Sequence, residues 1–150
     1  DGIVLASKHY ENHVWLIADL ANLPLQNETV DLVLSILSPA NYLEFKRVLK
    51  PDGMIIKVIP NQDYFKEIRT LKEHDPFDNR LSANRFKEEV PNWHMKSLKY
   101  TINVDEKDRE SLIKMSPIAW DYDVETIERY IKDGAQTLTI DLSIYYGERG

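Results

Sequence analysis

Asp19 is a carboxylate that follows directly on an apolar run, a position from which a side chain can hold a ligand. The run is residues 14–18, VWLIA, and its continuous apolar character is typical of a strand buried on both faces of a parallel sheet. Asp19 offers a hydrogen-bond acceptor and Leu20 an apolar surface, which together suit an adenine base. The alternative is that Asp19 only caps its own loop, and the pair alone does not decide between the two.

A second candidate is the turn that follows the next apolar run. Residues 30–37, VDLVLSIL, lead into a segment that contains Ser35, Ser38 and Pro39. Ligands of open α/β sheets bind beyond the carboxyl ends of the parallel strands. There Ser38 can donate a hydrogen bond and Pro39 stiffens the backbone. Ser38 is also a fair N-cap for a following helix, so an ordinary strand-to-helix turn is the competing interpretation.

Two aromatic residues could contact a flat ligand. Trp120 can stack on an extruded base, an interaction worth roughly 1–3 kcal/mol, or it can pack beneath the helix that follows it. Tyr64 comes after the third apolar run, residues 54–59, and core packing is its simpler role. Trp15, inside the first run, is expected in the core.

Composition bounds the chemistry and the location of the 150 residues. There is no cysteine, and the four histidines (His9, His13, His74 and His94) lack the spacing of metal ligands, so no metal site is predicted. No apolar run reaches the length of a transmembrane helix, and residues 1–10 lack the pattern of a signal peptide. We therefore expect a cytoplasmic protein without a membrane partner.

The charge balance argues against tight nucleic-acid binding by this segment alone. The formal net charge is −6, and the Lys and Arg residues are interspersed with Asp and Glu. A surface that grips phosphates by itself usually carries a basic patch. If the substrate is RNA, most phosphate contacts must come from residues outside this segment.

The first half of the chain predicts a parallel sheet. Residues 14–18, 30–37 and 54–59 are the expected strands, and a helix over residues 41–49 connects the second to the third. Residues 50–53, KPDG, are expected to end that helix and turn the chain. Strand, helix and strand form a βαβ unit, whose crossover should be right-handed. Residues 1–10 have the pattern of the end of another helix.

The second half has a different pattern. Residues 62–73 predict a helix, and residues 74–92 an irregular segment with a short helix. Residues 96–104 and 137–145 alternate between apolar and polar, which indicates two half-exposed strands that pair antiparallel. Two helices lie between them, and Asp105 and Asp123 are their expected caps. The predicted fold class is α/β, with parallel strands first and an antiparallel C-terminal pair.

Three segments in order resemble the class I S-adenosylmethionine-dependent methyltransferases. They are IADLANLPL at residues 17–25, VDLVLS at residues 30–35 and RVLKPDG at residues 47–53. In that class a strand ends in Asp, a Leu-Pro loop follows, and RVLKPGG leads into the fifth strand; Asp52 stands where the first of those glycines is usual. Three further segments (SP at 38–39, IPN at 59–61 and MSPIAW at 115–120) make essentially the whole chain similar to the bacterial 23S rRNA guanine-N1 methyltransferases.

The resemblance implies a cofactor, S-adenosylmethionine, and roles for particular residues. Asp19, Leu20, Ser35, Ser38 and Tyr64 are expected on the cofactor side, although Tyr64 stands where related sequences tend to have His. Pro39 and Trp120 are expected near the acceptor base. The sequence points to no residue as the base that removes the guanine N1 proton.

The resemblance also implies what these residues lack. Full-length members begin with a Cys-rich zinc module, followed by a first strand with a glycine-rich cofactor loop, and neither occurs here. We expect residues 1–150 to form an incomplete Rossmann-like domain, with rRNA as a partner of the full-length enzyme only. Two alternatives remain: a methyltransferase for small molecules, or a non-catalytic piece that forms a homodimer through an exposed sheet edge.

Overall fold

A computed structural model describes residues 2–10, 12–72 and 78–150. A mixed four-stranded sheet in the order β1-β2-β4-β3 is its centre, which confirms the α/β class. The elements in chain order are α1 (Gly2–His9), β1 (Val30–Ile36), α2 (Tyr42–Val48), β2 (Leu49–Pro60), α3 (Lys66–Arg69), α4 (Arg80–Glu89), β3 (His94–Asn103), α5 (Glu106–Met115), a 3-10 turn (Pro117–Ala119), α6 (Val124–Asp133) and β4 (Thr137–Glu148).

The predicted βαβ unit is present. Strands β1 and β2 are parallel, and α2 connects them, with the Asn41 side chain accepting a hydrogen bond from the Glu44 amide at its start. The helix ends near residue 50 as predicted, but residues 50–53 continue as part of β2 instead of forming a turn. The pairing register with β2 shifts between Val30 and Leu32. Strand β2 has more residues than β1 over this interval, and its unpaired residues form an irregularity in the ladder.

The predicted antiparallel pair is also present. Strand β4 pairs antiparallel with β3 on one side and with β2 on the other, so β3 is an edge strand. The two intervening helices begin at the predicted caps: Asp105 accepts from the Asp108 amide and Asp123 from the Thr126 amide. Helix α1 confirms the helical pattern of the first ten residues.

The prediction of a strand at residues 14–18 is wrong. The segment has no regular secondary structure, and Val14 and Ile17 are 86% and 88% exposed. An apolar run becomes a strand only when a neighbouring strand takes up its backbone hydrogen bonds, and no described strand pairs with this one. Trp15, expected in the core, is partly exposed and contacts the Tyr10 ring.

The helix predicted for residues 62–73 is shorter than expected. Phe65 has φ 51°, in the left-handed region, and helical geometry is confined to Lys66–Arg69. Residues 73–77 lie outside the described part of the chain. The short helix predicted within residues 74–92 is α4.

Two apolar clusters pack on opposite faces of the sheet. One lies under α2 and α4 and includes Phe45, Ile55, Phe86 and Tyr145. The other lies under α3, α5 and α6 and includes Ile113, Tyr130, Leu138 and Ile140. Because alternate residues of a strand point to opposite faces, β4 supplies Leu138 to one cluster and Tyr145 to the other.

Strand β1 has an open apolar face. Leu32, Leu34 and Ile36 alternate along the strand and are 46%, 55% and 53% exposed, and the neighbouring Met54 is exposed beside them. No helix in the described part of the chain is long and apolar enough to cross a membrane.

Candidate functional site

The carboxyl ends of β1 and β2 lie side by side and carry the turn of residues 35–39, here called the strand-end turn. Leu37 within it has φ 49°, a left-handed conformation that is uncommon for a residue other than glycine. The Leu37 amide donates to the Val58 carbonyl at 3.1 Å, which ties the turn to β2. The strand-end turn separates two clefts, one on the Asp19 side and one on the Trp120 side.

A partly buried polar network holds the strand-end turn. The Ser35 hydroxyl oxygen lies 3.0 Å from that of Ser38 and donates to the Pro39 carbonyl at 3.3 Å. Lys57 on β2 reaches into the same network: its Nζ donates to Ser35 Oγ at 3.1 Å and to the Ser38 carbonyl. Burial lowers the pKa of Lys57.

Sequence reasoning missed Lys57, although a signal was available. The residue interrupts the apolar run of residues 54–59, MIIKVI. A lysine at the centre of a strand buried on both faces needs a specific acceptor. That acceptor is supplied by the neighbouring strand, where Ser35 stands opposite Lys57 in the ladder.

The Asp19 cleft has a volume of about 650 Å³ and is lined by residues 19–21 and 40–43, with Arg85 and Glu89. Asp19 Oδ1 accepts from the Ala21 amide at 2.9 Å, so the carboxylate does cap its own loop. The cap occupies one oxygen of a side chain that is exposed at the cleft. Leu20 is half-buried and packs against the α2–α4 cluster.

Helix α2 anchors the loop that carries Asp19. Glu44 accepts from the Leu23 amide at 2.9 Å, and Arg47 donates to the Leu23 and Leu25 carbonyls at 2.9 and 2.8 Å. The Arg47 guanidinium also donates to Glu44, and with the Leu23 amide it lowers the pKa of Glu44 to about 2. The Leu-Pro loop is therefore held by side chains one helical turn apart.

The second cleft, here called the Trp120 groove, has a volume of about 800 Å³. Trp120 is 76% exposed at its wall, so the alternative of a tryptophan packed beneath the next helix is wrong. Tyr64 is half-buried and stacks on Phe65 with ring centroids 4.2 Å apart, and burial raises its pKa. Leu37 of the strand-end turn and the buried Arg69 also line the groove.

The seven residues singled out from the sequence thus fall into three places. Ser35, Ser38 and Pro39 share the strand-end turn, while Asp19 and Leu20 line the cleft on one side of it and Tyr64 and Trp120 line the groove on the other. Among the residues that the structure describes, no three His, Asp or Glu side chains gather into a cluster that could hold a metal ion.

Solved structures share this architecture. The crystal structure of BH2331 from Bacillus halodurans C-125, described as a "putative methyltransferase", covers 98% of this chain with 78% of its own length, at 16% identity and a TM-score of 0.50. YcgJ from Bacillus subtilis covers 97% with 75% of its length, at 14% identity and a TM-score of 0.52. The fold is that of the class I methyltransferases, as the sequence resemblance implied.

Sequence comparison identifies more specific relatives of the chain within the methyltransferases. No protein-family model matches the chain. The chain is 35% identical to YxjB of Bacillus subtilis over 151 residues, which is 98% of this chain. It is 25% identical to a protein of Streptomyces fradiae over 128 residues, which is 83% of this chain. The first carries the name "Putative 23S rRNA (guanine-N(1)-)-methyltransferase" and the second "23S rRNA (guanine(748)-N(1))-methyltransferase". The chain is thus a relative of these enzymes, and it spans about half of their length, 54% and 45%.

Proposed function

We propose that the full-length protein transfers the methyl group of S-adenosylmethionine to N1 of a guanine in 23S rRNA. The observation that carries this proposal is the 35% identity to YxjB along 98% of the chain. The class I fold supports it, because the two clefts flank the carboxyl ends of the parallel strands, where such sheets bind ligands.

The cofactor belongs on the Asp19 side of the strand-end turn. Asp19 keeps an acceptor for the adenine amino group, and Leu20 gives an apolar surface to the ring. Ser38 is exposed and can contact the cofactor, whereas Ser35 is buried and acts by holding Ser38. Tyr64 lies across the turn, so a contact with the cofactor would be made from the Trp120 groove.

The acceptor base belongs in the Trp120 groove. A guanine extruded from a stem, which costs a few kcal/mol, can stack on Trp120, whereas Pro39 lies outside the lining of this groove and contributes by stiffening the turn. S-adenosylmethionine would supply the methyl group, which would pass to guanine N1 while the electron pair of its former bond stays on sulfur, and the N1 proton would be lost to bulk solvent. The protein's task is to align these atoms and exclude water.

The open face of β1 supports the proposal that residues 1–150 are part of a larger domain. We propose that a segment outside these residues supplies a parallel strand beside β1 and a glycine-rich cofactor loop, and that a zinc module grips the rRNA phosphates. Exposed Leu32, Leu34 and Ile36 are the surface that such a segment would cover. A protein acting on rRNA in this way would work in the cytoplasm.

Methylation of rRNA tests the proposed function directly. A methyl group on guanine N1 blocks the pairing edge, so reverse transcription stops at the modified base. We expect the full-length protein to restore such a stop in 23S rRNA from a strain that lacks the modification, and to transfer labelled methyl groups to that RNA in vitro. Label transfer to small acceptors with none to rRNA would instead favour the small-molecule methyltransferase.

A further inference from the structure

We propose that Lys57 is a positioning residue, which holds the strand-end turn in the geometry that methyl transfer needs. The inference rests on the proposed function, because it assigns the turn to the junction of cofactor and acceptor. In the described structure the Lys57 side chain contacts neither Asp19 nor Trp120, residues that line the two clefts.

Lys57 is placed so that one ammonium group fixes the whole turn. Ser35 on β1 and Lys57 on β2 are partners in the parallel ladder, and Nζ donates to both the Ser35 hydroxyl and the Ser38 carbonyl. Ser35 in turn contacts Ser38 and Pro39. Removal of the ammonium therefore loosens three residues of the turn together.

The fold by itself does not favour a lysine at this position. Lys57 is 5% exposed, and none of the ion pairs within the described residues involves it. Its acceptors are neutral oxygens, and the charged residue that shares its small cavity, Arg85, is also a cation. Arg85 is itself paired with Glu89 at 2.6 Å. A buried ammonium with such partners costs stability relative to an apolar side chain of similar length.

The turn that Lys57 holds is one that needs external support. Leu37 adopts its left-handed conformation between Ser35 and Ser38, and such conformations persist only where the surroundings impose them. Leu37 lines the Trp120 groove, and Pro39 lies on the opposite side beside Ala40 of the Asp19 cleft. A shift of this turn would displace the cofactor and the acceptor relative to each other.

The test compares Lys57→Met with Lys50→Met in the full-length protein. Methionine keeps an unbranched side chain as far as Cε and removes the ammonium. Lys50 is a matched control, because it lies on the same strand and forms an ion pair with the exposed Asp31 at 2.6 Å, away from the turn. We expect Lys57→Met to lower kcat about 10- to 100-fold, since misplacement of reacting groups by about 1 Å costs this much. KM values should stay within about threefold, and Tm should be unchanged or higher.

Amide hydrogen exchange provides a readout that does not depend on activity. The Leu37 amide is hydrogen-bonded to Val58, and its exchange should accelerate in Lys57→Met and not in Lys50→Met. If Lys57→Met leaves both kcat and Leu37 exchange unchanged, or if kcat falls only in proportion to a lowered Tm, the positioning role is wrong. If the wild type methylates no rRNA, the proposed function fails, while Leu37 exchange still decides whether Lys57 holds the turn.

Discussion

Arg47 Nη2 lies 2.8 Å from Glu44 Oε2, one turn away on α2, and both side chains hold the loop that follows Asp19. Arg47 donates to the carbonyls of Leu23 and Leu25, while Glu44 accepts from the Leu23 amide. Two sequence segments that identify the class, the Leu-Pro loop and RVLKP, are therefore one structural unit. The arginine of the second segment shapes the loop of the first, which carries Asp19.

This unit should weaken in acid. The pKa of Glu44 is lowered from 4.5 to about 2 by Arg47 and the Leu23 amide. A group whose pKa is lowered by folding adds stability above its unfolded pKa, and that stability is lost as pH falls towards the folded pKa. We expect the urea concentration at the unfolding midpoint to fall as the pH is lowered from 4.5 to about 2. This fall should be larger for the wild-type full-length protein than for Glu44→Gln.

The control for this titration is Glu128→Gln, which changes an exposed glutamate on α6. It should follow the wild-type pH dependence throughout. A Glu44→Gln protein that loses as much stability in acid as the wild type would show that the Glu44–Arg47 pair does not contribute.

Local chemistry explains which elements could be predicted from the sequence. Asp105 and Asp123 each cap a helix through an amide three residues further on, so both the residue and its partner are visible in a short window. The alternation of apolar and polar residues over 137–145 likewise indicates a strand from a short stretch of sequence. Residues 14–18 have a strand-like composition, but pairing depends on a neighbour elsewhere in the chain, and composition cannot report it.

The candidate site, like the fold, could be predicted from the sequence only in part. The motifs identified Asp19 and the strand-end turn, because their residue types and order are themselves the signal. The exposure of Trp120 depends on how the 3-10 turn of Pro117–Ala119 packs against α3, and the role of Lys57 depends on its register with Ser35. Both are tertiary relationships between residues that are distant in sequence but in contact in the structure.

Asp19 variants should separate cofactor binding from loop capping. In the full-length protein, Asp19→Ala should weaken S-adenosylmethionine binding, because a hydrogen bond to a charged group is worth roughly 1.5–3 kcal/mol. Asp19→Asn keeps an oxygen for the Ala21 amide but removes the charge, and it should weaken binding as well. Isothermal titration calorimetry measures both affinities.

The matched control is Asp31→Asn, which alters an exposed aspartate paired with Lys50. Its affinity for the cofactor should equal that of the wild type. Weaker binding by Asp19→Ala alone, with Asp19→Asn normal, would assign Asp19 to the loop cap and remove it from the cofactor site.

Trp120→Ala should impair methylation much more than cofactor binding. The side chain is exposed at the groove, so its removal should leave Tm nearly unchanged, while loss of base stacking costs roughly 1–3 kcal/mol. We expect kcat/KM for rRNA to fall by about 5- to 150-fold. The comparison is Trp93→Ala, a partly exposed tryptophan against Lys87 and Tyr145, outside the groove. Equal losses in the two variants, or unfolding of Trp120→Ala, would contradict the stacking role.

Residues 1–150 alone should bind both ligands poorly. They carry the Asp19 side of the proposed cofactor site but no cluster of glycines that could form a cofactor loop, so calorimetry should show much weaker S-adenosylmethionine binding than in the full-length protein. Their net charge of −6 predicts weak rRNA binding, whereas the full-length protein should bind rRNA with an affinity that falls steeply with salt. Circular dichroism verifies that the isolated segment is folded, and ultracentrifugation reports whether it forms a homodimer through the exposed β1 edge, the alternative that the sequence left open. Micromolar cofactor binding by a folded segment would show that the cofactor site is complete without the proposed additional strand, and tight, salt-dependent rRNA binding by it would place the phosphate contacts within residues 1–150.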